Sequence, residues 1–477
     1  MNHPRFRFGI LVFFVMAAGV RAEIVLAAPF RDGAVIQRGK LIPVWGKAQP
    51  GETVEVEFGG QMRKTVADEQ GRWSVRLGPF AANSAPAKLT ATGRDVVTIR
   101  NVLVGEVWLC SGQSNMNFPL KQAANAQSEI AGADYPLIRH FVVDSAVSDR
   151  PLAMVGGEWQ ASSPDTVGSF TAVGYFFGRE LFRKLGVPIG IMKATLGGSP
   201  IEAWLSEDAL GADPAFGVVA ARWRVMRPRI EGRGFRNQPG GLYNGLIHPL
   251  EPGALAGFLW YQGEGNAERA MEYEKLFLTM IRQWRRDFQQ GDLPFIFAQL
   301  PNFAPTNDLT GQSWAWLRAA QAAALSLPHV GMAVTIDIGD NAALHPVNKQ
   351  DVGRRLALVA LAKVYGLPVG DTGPTFAGME SVGAEVRIRF KQADGLRFVG
   401  DPGRVFELAG DDRKFVPAVG RIDGETVIVS APDVTQPVAV RFSWRNAPAA
   451  HLVNRGGLPA APFRTDQWSP ARTPGER

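Results

Sequence analysis

The sequence places one serine, Ser114, where its hydroxyl could act as a nucleophile. The apolar run 107–110 has the length of a buried strand, and the turn residues 111–113 separate it from Ser114. A strand that ends in a glycine-containing turn presents a hydroxyl at the carboxyl edge of a sheet, where backbone N–H groups can bind an oxyanion. The pattern differs from the G-x-S-x-G elbow, since Met116 occupies the last glycine position. A serine after a glycine is also ordinary turn chemistry, so partners elsewhere in the chain decide the interpretation.

A serine nucleophile needs a base that titrates near neutral pH, and histidine meets that need. His345 lies just past the predicted strand 330–336 and just before the predicted helix 347–365, so we expect it on the same sheet edge as Ser114. His248, within L-Y-N-G-L-I-H-P, is the reserve candidate. Three further histidines are assigned to the core or surface, to the opposite sheet edge and to the C-terminal β region: His140, His329 and His451.

Two more turns supply candidate donors for an oxyanion. The segment L-G-G-S-P at 196–200 follows the predicted strand 189–194, and a glycine there lets a backbone N–H approach closely. The segment W-Y-Q-G-E-G-N at 260–266 follows another predicted strand, and both Gln262 and Asn266 carry side-chain N–H donors. Each segment alone could be a plain turn. Serine, glycine, amide and histidine on four turns of one sheet edge favour an acyl-transfer site.

The periodicity of apolar residues divides the chain into regions that can position these turns. Residues 23–100 alternate with period two, which predicts a small antiparallel β domain. Residues 101–366 alternate short apolar runs with amphipathic stretches, which predicts an α/β domain with a parallel sheet covered on both faces. Residues 367–477 return to alternation and predict a second β domain, a sandwich with an extended tail. The predicted helices are 171–185, 273–288, 314–325 and 347–365, and the predicted strands among them are 189–194, 256–261, 294–300 and 330–336.

The first 22 residues have the features of an export signal. Arg5 and Arg7 give a positive start, residues 8–20 form an apolar core, and V-R-A at 20–22 is typical of a cleavage site. The apolar run is too short to span a bilayer. We therefore predict cleavage near Ala22 and a secreted or periplasmic protein that makes no membrane contact after cleavage.

Composition and charge exclude several classes of function. The chain of 477 residues is 46% apolar and 20% charged, which is ordinary for a globular protein of two or three domains. Its net charge falls from +6 to +3 without Arg5, Arg7 and Arg21, an excess too small to indicate nucleic-acid binding. Cys110 is the only cysteine and is expected to be a buried apolar residue. The sequence shows no metal-ligand cluster or phosphate-binding loop, so we predict no metal and no cofactor, and the oligomeric state stays open.

Six segments between residues 103 and 361 form a specific set: G-Q-S-N-M, F-G-R-E-L, G-G-S-P-I-E-A-W, L-Y-N-G-L-I-H-P-L, W-Y-Q-G-E-G-N and H-P-V-N-K-Q-D-V-G-R-R-L. This set resembles the sialate O-acetylesterase family of the SGNH hydrolase group. The resemblance implies a three-layer α/β/α SGNH domain flanked by accessory β domains, and a serine esterase that removes O-acetyl groups from sugars. It also implies that Ser114 is the nucleophile and His345 the base. The implied oxyanion hole consists of the N–H groups of Ser114 and Gly198 with an amide of Gln262 or Asn266.

One departure from the family concerns the acid that orients the base. An acidic residue commonly stands two positions before the catalytic histidine, or three in other SGNH hydrolases, and here those positions are Ala343 and Ala342. Asp340 or Asp337 would supply a carboxylate if the loop bends differently. Otherwise a backbone carbonyl holds the imidazole and the site is a Ser–His dyad, which we favour while keeping Asp340 as a third catalytic candidate. Loss of the orienting acid costs roughly 10⁴-fold in turnover in a serine protease.

The substrate is expected to be an O-acetylated carbohydrate. Asn115, Glu264 and Arg229 are predicted to contact it, the last because the basic segment 222–236 offers guanidinium groups that suit a sugar carboxylate. A solvated basic flap is the alternative interpretation of that segment. Acetylated sialic acid and acetylated glycans such as xylan both stay open as substrates. A catalytically impaired carbohydrate-binding protein on the same scaffold is the competing function.

Overall fold

The computed structural model describes residues 23–144, 146–227 and 237–469. The predicted export signal, residues 1–22, and the predicted substrate contact Arg229 lie outside the described residues. Among the helices within those ranges, none combines the length and the apolar character that a bilayer span requires.

The N-terminal region consists of strands that pair antiparallel, with one exception. They are β1 (Val25–Leu26), β2 (Val35–Gln37), β3 (Ile42–Lys47), β4 (Thr53–Phe58), β5 (Gln61–Val66), β6 (Arg72–Leu77), β7 (Asn83–Thr92) and β8 (Val96–Gly112). Strands β1, β3 and β6 form one antiparallel sheet, while β4 pairs with β5 and β7. The exception is β2, which pairs parallel with β8. Alternate residues of β4, namely Val54, Val56 and Phe58, are buried, as the period of a half-exposed strand requires.

Strand β8 joins the N-terminal region to the central sheet. Its first part pairs antiparallel with β7, and its last part, from Glu106 to Gly112, lies between two parallel strands. The strand therefore runs across position 100, where the sequence predicts a domain boundary, and one continuous core joins the two regions. Trp108, Leu109 and Cys110 are fully buried in succession, because both faces of this part of the strand are covered.

A large central sheet follows. Its further strands are β9 (Tyr135–Val143), β10 (Gly157–Ser162), β11 (Ile189–Thr195), β12 (Gly257–Tyr261), β13 (Phe295–Ala298) and β14 (Val330–Ala333). The order is β10-β9-β11-β8-β12-β13-β14, and all neighbours are parallel except β10, which is antiparallel to β9. The four strands predicted after residue 185 are present, β11 one residue longer than predicted and the other three shorter, whereas β9 and β10 were not predicted. The carboxyl ends of β8, β11 and β12 meet at one edge of the sheet.

Helices alternate with the parallel strands. They are α1 (Ser114–Asn117), α2 (Ala126–Ala131), α3 (Ala172–Leu185), α4 (Glu207–Gly211), α5 (Gly217–Met226), α6 (Ala270–Phe288), α7 (Ser313–Ala322) and α8 (Lys349–Lys363). Shorter 3₁₀ segments span Leu120–Gln122, Val167–Ser169, Ile201–Trp204, Pro214–Phe216, His248–Leu250, Glu264–Arg269, Ala323–Ser326 and Pro402–Arg404, and a π segment spans Tyr243–Ile247. The mixed α/β fold with a large central sheet is therefore confirmed.

Aromatic side chains anchor helices to the sheet. Phe177 on α3 contacts Trp108 edge to face, with ring centroids 5.1 Å apart. Trp284 on α6 contacts Phe258 with centroids 5.4 Å apart. Phe258 is in register with Leu109, whose side chain points away from that of its neighbour Trp108. Helices α3 and α6 thus contact opposite sides of the sheet, and this packing fixes the strand ends that carry the site.

The C-terminal region is rich in β structure, which is also confirmed. Its strands are β15 (Thr375–Val382), β16 (Glu385–Lys391), β17 (Arg397–Gly400), β18 (Phe406–Ala409), β19 (Val416–Asp423), β20 (Thr426–Ser430), β21 (Ala439–Phe442), β22 (Ala450–Val453) and β23 (Phe463–Arg464). Seven form an antiparallel sheet in the order β15-β16-β20-β19-β18-β21-β23, and β17 pairs with β22. This region has its own apolar core, which includes Val386, Phe406 and Leu452.

Candidate active site

Ser114 and His345 meet although 231 positions separate them in the chain. Ser114 is the first residue of α1, immediately after the carboxyl end of β8, and His345 lies in the loop between β14 and α8. The Oγ of Ser114 and the Nε2 of His345 are 2.7 Å apart, which is a hydrogen-bond distance. Ser114 is half-buried and His345 exposed, so a substrate can reach both side chains. This is the geometry in which an imidazole removes a hydroxyl proton.

The turn before Ser114 has a conformation that the sequence explains. Gly112 has a φ of +128°, and a Cβ at this position would lie 2.2 Å from the carbonyl oxygen of Tyr261, so only glycine fits. The amide oxygen of Gln113 accepts hydrogen bonds from the N–H groups of Gly265 at 3.1 Å and Gly263 at 3.5 Å. The ends of β8 and β12 are therefore locked together directly beside the serine.

The glycine turn after β11 lies against Ser114. A Cβ on Gly197 would be 3.5 Å from the Cβ of Ser114, and Gly198 has a φ of +71°. Within the described part of the chain, neither the N–H of Ser114 nor that of Gly198 donates a hydrogen bond. Unused N–H groups beside a nucleophile are suited to bind the oxygen of a tetrahedral intermediate. The placement of Gly198 is consistent with its predicted part in an oxyanion hole.

Gln262 requires a correction, because both of its side-chain N–H groups serve as scaffolding, whereas Asn266 uses one of its two N–H groups in the same scaffold. Both side chains are fully buried. The Nε2 of Gln262 donates to the carbonyl of Ser199 at 3.1 Å and to Oδ1 of Asn266 at 2.8 Å, so both of its N–H groups are engaged. The Nδ2 of Asn266 donates to Glu202 at 2.9 Å, and its Oδ1 also accepts from the N–H of Ile201. These bonds hold the Gly198 turn against the turn after β12.

Asn115 also requires a correction, since it is fully buried and its amide bonds to protein groups rather than facing the solvent. Its Nδ2 donates to Glu264 at 2.5 Å and to the carbonyl of Leu344 at 3.0 Å, while its Oδ1 accepts from the ammonium of Lys349 at 2.5 Å. We call these four residues the anchoring network. The network ties the residue after Ser114 to the residue before His345.

Burial sets the electrostatics of the anchoring network. Burial lowers the pKa of Lys349 to about 7, although the nearby Glu264 carboxylate acts in the opposite direction. Burial also raises the pKa of Glu264. The pKa of His345 is lowered, mainly by burial and further by the positive charge of Lys349. A lowered pKa keeps the imidazole of His345 neutral, and therefore basic, at neutral pH.

Neither aspartate proposed as the third catalytic group contacts His345. Asp340 is exposed, and its Oδ1 accepts hydrogen bonds from the N–H groups of Ala342 at 2.8 Å and Ala343 at 3.3 Å. Asp337 forms a two-fold ion pair with Arg355 at 2.5 and 2.7 Å. Within the described residues, Nδ1 of His345 has no hydrogen-bond partner. The loop therefore uses Asp340 to cap its own turn, and the prediction that Asp340 orients the base is corrected.

The other candidate residues lie apart from the pair. The Nδ1 of His248 is 3.2 Å from the Glu251 carboxylate, whose hydrogen bond raises the pKa of His248. His140 is buried, and burial lowers its pKa to about 3, so it cannot serve as a base near neutral pH. Arg222 of the basic segment pairs with Glu272 at 2.6 Å and with Glu202 at 3.2 Å. Its guanidinium is already neutralised by protein carboxylates.

Sequence reasoning missed three residues that build the site. Gln113 and Lys349 connect the strand ends, and Glu202 accepts from Asn266 and from Arg269 at 3.0 Å. Each belongs to a segment that already carried the family resemblance, G-Q-S-N-M, H-P-V-N-K and G-S-P-I-E-A-W. Their place within these segments was the available signal. Among the described residues, no group of three or more metal-ligating side chains comes together.

Comparison with known proteins places the chain. Residues 104–362 match the family described as carbohydrate esterase, sialic acid-specific acetylesterase. The sialate O-acetylesterases of Rattus norvegicus and Mus musculus are 30% and 31% identical to it, and each alignment covers 88% of this chain and 90% of the relative. The crystal structure of a carbohydrate acetylesterase from Xanthomonas citri is 41% identical, with a TM-score of 0.86, and the match covers 94% of this chain and 100% of that chain.

These matches define a carboxylic ester hydrolase, and more narrowly an esterase that removes O-acetyl groups from carbohydrates. The chain belongs to the carbohydrate esterase family of sialic acid-specific acetylesterases.

Proposed function

We propose that Ser114 and His345 act as a catalytic dyad that hydrolyses acetyl esters on sugar hydroxyls. The observation that carries this proposal is the distance of 2.7 Å between Ser114 Oγ and His345 Nε2 at the carboxyl edge of the sheet. The unused N–H groups of Ser114 and Gly198 support a two-donor oxyanion hole. The positions of Asp340 and Asp337 support a dyad rather than a triad.

In the first half-reaction, the Oγ of Ser114 attacks the acetyl carbonyl carbon while its proton moves to Nε2 of His345. The N–H groups of Ser114 and Gly198 stabilise the oxyanion that forms on the carbonyl oxygen. The bond from the carbonyl carbon to the sugar oxygen then breaks, and His345 returns the proton to that oxygen. The products are the free sugar hydroxyl and an acetyl ester on Ser114.

In the second half-reaction, water attacks the acetyl ester on Ser114 and His345 takes a proton from the water. The second tetrahedral intermediate uses the same two N–H donors. The bond to Oγ breaks, Oγ recovers its proton from His345, and acetate leaves. The lowered pKa of His345 suits this role, because the base must be neutral at the start of each half-reaction.

We also propose a layer arrangement, a division into domains and a cellular location for this chain. Contacts of α3 and α6 with opposite sides of the sheet support the three-layer α/β/α arrangement of SGNH hydrolases. Separate apolar cores support a domain boundary near 367, between the core of residues 24–361 and that of residues 386–460, while the predicted boundary at 101 rests on the sequence pattern alone. The export signal at 1–22, with a secreted or periplasmic location, rests on the sequence pattern alone.

The proposal is tested with Ser114→Ala, assayed on p-nitrophenyl acetate and on O-acetylated sugars. We expect kcat to fall by about 10⁴-fold or more, as when other serine hydrolases lose the nucleophile. The matched control is Ser128→Ala, an exposed helical serine outside the site, which should retain activity. Equal rates for Ser114→Ala and the wild type would reject the esterase mechanism and favour a carbohydrate-binding protein.

A further inference from the structure

A large cleft begins beside the catalytic pair and extends toward the C-terminal region. Its volume is about 1340 Å³, which exceeds the roughly 300–1,000 Å³ typical of a site for one small molecule. At the inner end it is lined by Gln113, next to Ser114, and by Leu344, next to His345. Its far wall is the segment 303–316, which connects β13 to α7. The cleft has room for more than the acetylated sugar alone.

The C-terminal region contacts this wall through the packing of Trp444 against Trp316, with ring centroids 5.2 Å apart, and through the hydrogen bonds of Asn446. Its side chain accepts from the N–H of Trp314 at 2.9 Å and donates to Asp308 at 2.6 Å. Its backbone N–H donates to the carbonyl of Gly311 at 2.9 Å, and its carbonyl accepts from Arg318 at 2.8 Å. Two regions with separate cores therefore share one binding surface, and the position of the wall depends on these contacts.

The surface of the wall suits a sugar chain. Leu309 is 95% exposed, and Met271, which also lines the cleft, is 62% exposed. Trp316 also lines the cleft and is half-buried, because Arg464 lies over its ring at 4.3 Å and Trp444 packs against it. Asn307 and Thr310 lie between these apolar groups and carry hydrogen-bonding side chains. Sugars present both apolar C–H faces and hydroxyl groups, so a mixed wall of this kind matches their chemistry.

The charges that line the cleft favour a neutral chain. Among the described residues, the carboxyl groups of Glu264, Glu268 and Asp308 line the cleft together with the guanidinium of Arg269, and burial raises the pKa of Glu264. Arg269 is paired with Glu202 at 3.0 Å. Burial acts to raise the pKa of Asp308, but hydrogen bonds to its carboxylate outweigh burial and lower it, so this group stays negative. A sugar carboxylate in the cleft would meet like charges.

We propose that this cleft binds neutral sugar residues adjacent to the acetylated one, so that the preferred substrate is a neutral acetylated oligosaccharide. The inference rests on the proposed esterase function and adds the class of substrate. Contacts to residues far from the ester contribute binding energy that can be used in the transition state, so chain length should raise kcat/KM.

The test compares substrates of different length on the full chain. The probes are O-acetylated xylotetraose and cellotetraose, the corresponding O-acetylated xylose and glucose, and O-acetylated sialyllactose. We expect at least one neutral tetrasaccharide to exceed its monosaccharide by about tenfold or more in kcat/KM, and to exceed the sialylated probe. Equal values for tetrasaccharide and monosaccharide in both pairs, or a preference for the sialylated probe, would overturn the inference. Hydrolysis of p-nitrophenyl acetate reports separately on the esterase function.

Two variants locate the effect in the cleft. Leu309→Asp changes an almost fully exposed side chain, and we expect it to abolish the advantage of the tetrasaccharide while p-nitrophenyl acetate hydrolysis is retained. Leu41→Asp, at an exposed leucine that does not line the cleft, is its control. Asn446→Ala should also reduce the tetrasaccharide advantage in kcat/KM, because it removes side-chain hydrogen bonds that hold the wall. Its control is Asn454→Ala, which removes hydrogen bonds within the C-terminal region only. If Leu309→Asp leaves the tetrasaccharide advantage intact, the cleft is not the binding site.

Discussion

Ser114 and His345 lie within one hydrogen bond of each other, but the chain holds the two residues by different means. The serine follows a turn in which Gly112 has no room for a side chain and Gln113 bonds to the neighbouring strand end. The histidine is exposed, and within the described residues its second ring nitrogen has no partner. The turn before Ser114 holds the serine in position, whereas the position of His345 depends on contacts from other segments.

The anchoring network connects the segment that carries Ser114 to the loop that carries His345. Asn115 follows Ser114 directly and donates to the carbonyl of Leu344, which directly precedes His345. Lys349, at the start of α8, holds the amide oxygen of Asn115. In a serine protease triad, a carboxylate orients the imidazole through its ring nitrogen. Here the contacts act on the backbone of the histidine loop instead.

The largest expected effect comes from the base. His345→Ala should lower kcat by about 10⁴-fold or more, because no other histidine among the described residues forms a hydrogen bond with Ser114 Oγ. The measurement is steady-state hydrolysis of p-nitrophenyl acetate. His248→Ala is the matched control, and we expect it to retain activity because His248 pairs with Glu251 away from the site. A comparable loss in both variants would show that the base was assigned wrongly.

The fold and the meeting of Ser114 with His345 could be predicted because they depend on local patterns. Alternating apolar residues indicated the β regions, and the strands at 189–195, 257–261, 295–298 and 330–333 are close to their predicted bounds. Parallel strands bring their carboxyl ends to one edge, so Ser114 and His345 were expected together. Strand β9 was missed, because its sequence Y-P-L-I-R-H-F-V-V contains a proline and two basic residues that argue against a buried strand.

The polar scaffold of the site could not be predicted in the same way. An amide has two donors and an acceptor, and which groups they meet depends on packing between distant segments. Asn115 meets Lys349 across 234 positions, and Gln113 meets Gly265 across 152. Gln262 was expected to face the substrate on chemistry alone, but in the structure it joins two turns. The residue type showed that the side chain could donate hydrogen bonds, but only the three-dimensional structure shows which groups receive them.

An intermediate effect is expected when the anchoring network loses its cation. Lys349→Met leaves the buried oxygen of Asn115 without a donor, which costs about 1–3 kcal/mol, so we expect kcat/KM to fall by roughly tenfold. With a pKa of about 7, Lys349 is positive in the acid range where His345 titrates, and it lowers the pKa of His345. Without this charge the pKa of His345 rises, so the acid limb of the pH–rate profile should move to higher pH.

Lys363→Met is the control for the Lys349 variant, because Lys363 is on the same helix and pairs with Asp371 at 3.7 Å away from the network. It should leave the pH profile unchanged. If Lys349→Met shows the wild-type acid limb, or moves it to lower pH, the network does not act on the base.

The smallest effect is expected from Asp340, and it decides between a dyad and a triad. Asp340→Asn keeps the Oδ1 that accepts from the N–H groups of Ala342 and Ala343, so the turn before His345 should keep its shape. We expect kcat/KM to change by less than about twofold, whereas an orienting acid would cost roughly 10⁴-fold. Asp337→Asn is the comparison variant. Asp337→Asn weakens the ion pair of the buried Arg355, so this variant should lower the melting temperature. Asp340→Asn should leave the melting temperature unchanged. A large loss of turnover in Asp340→Asn, with an unchanged melting temperature, would show that Asp340 orients the imidazole of His345. The site would then be a triad.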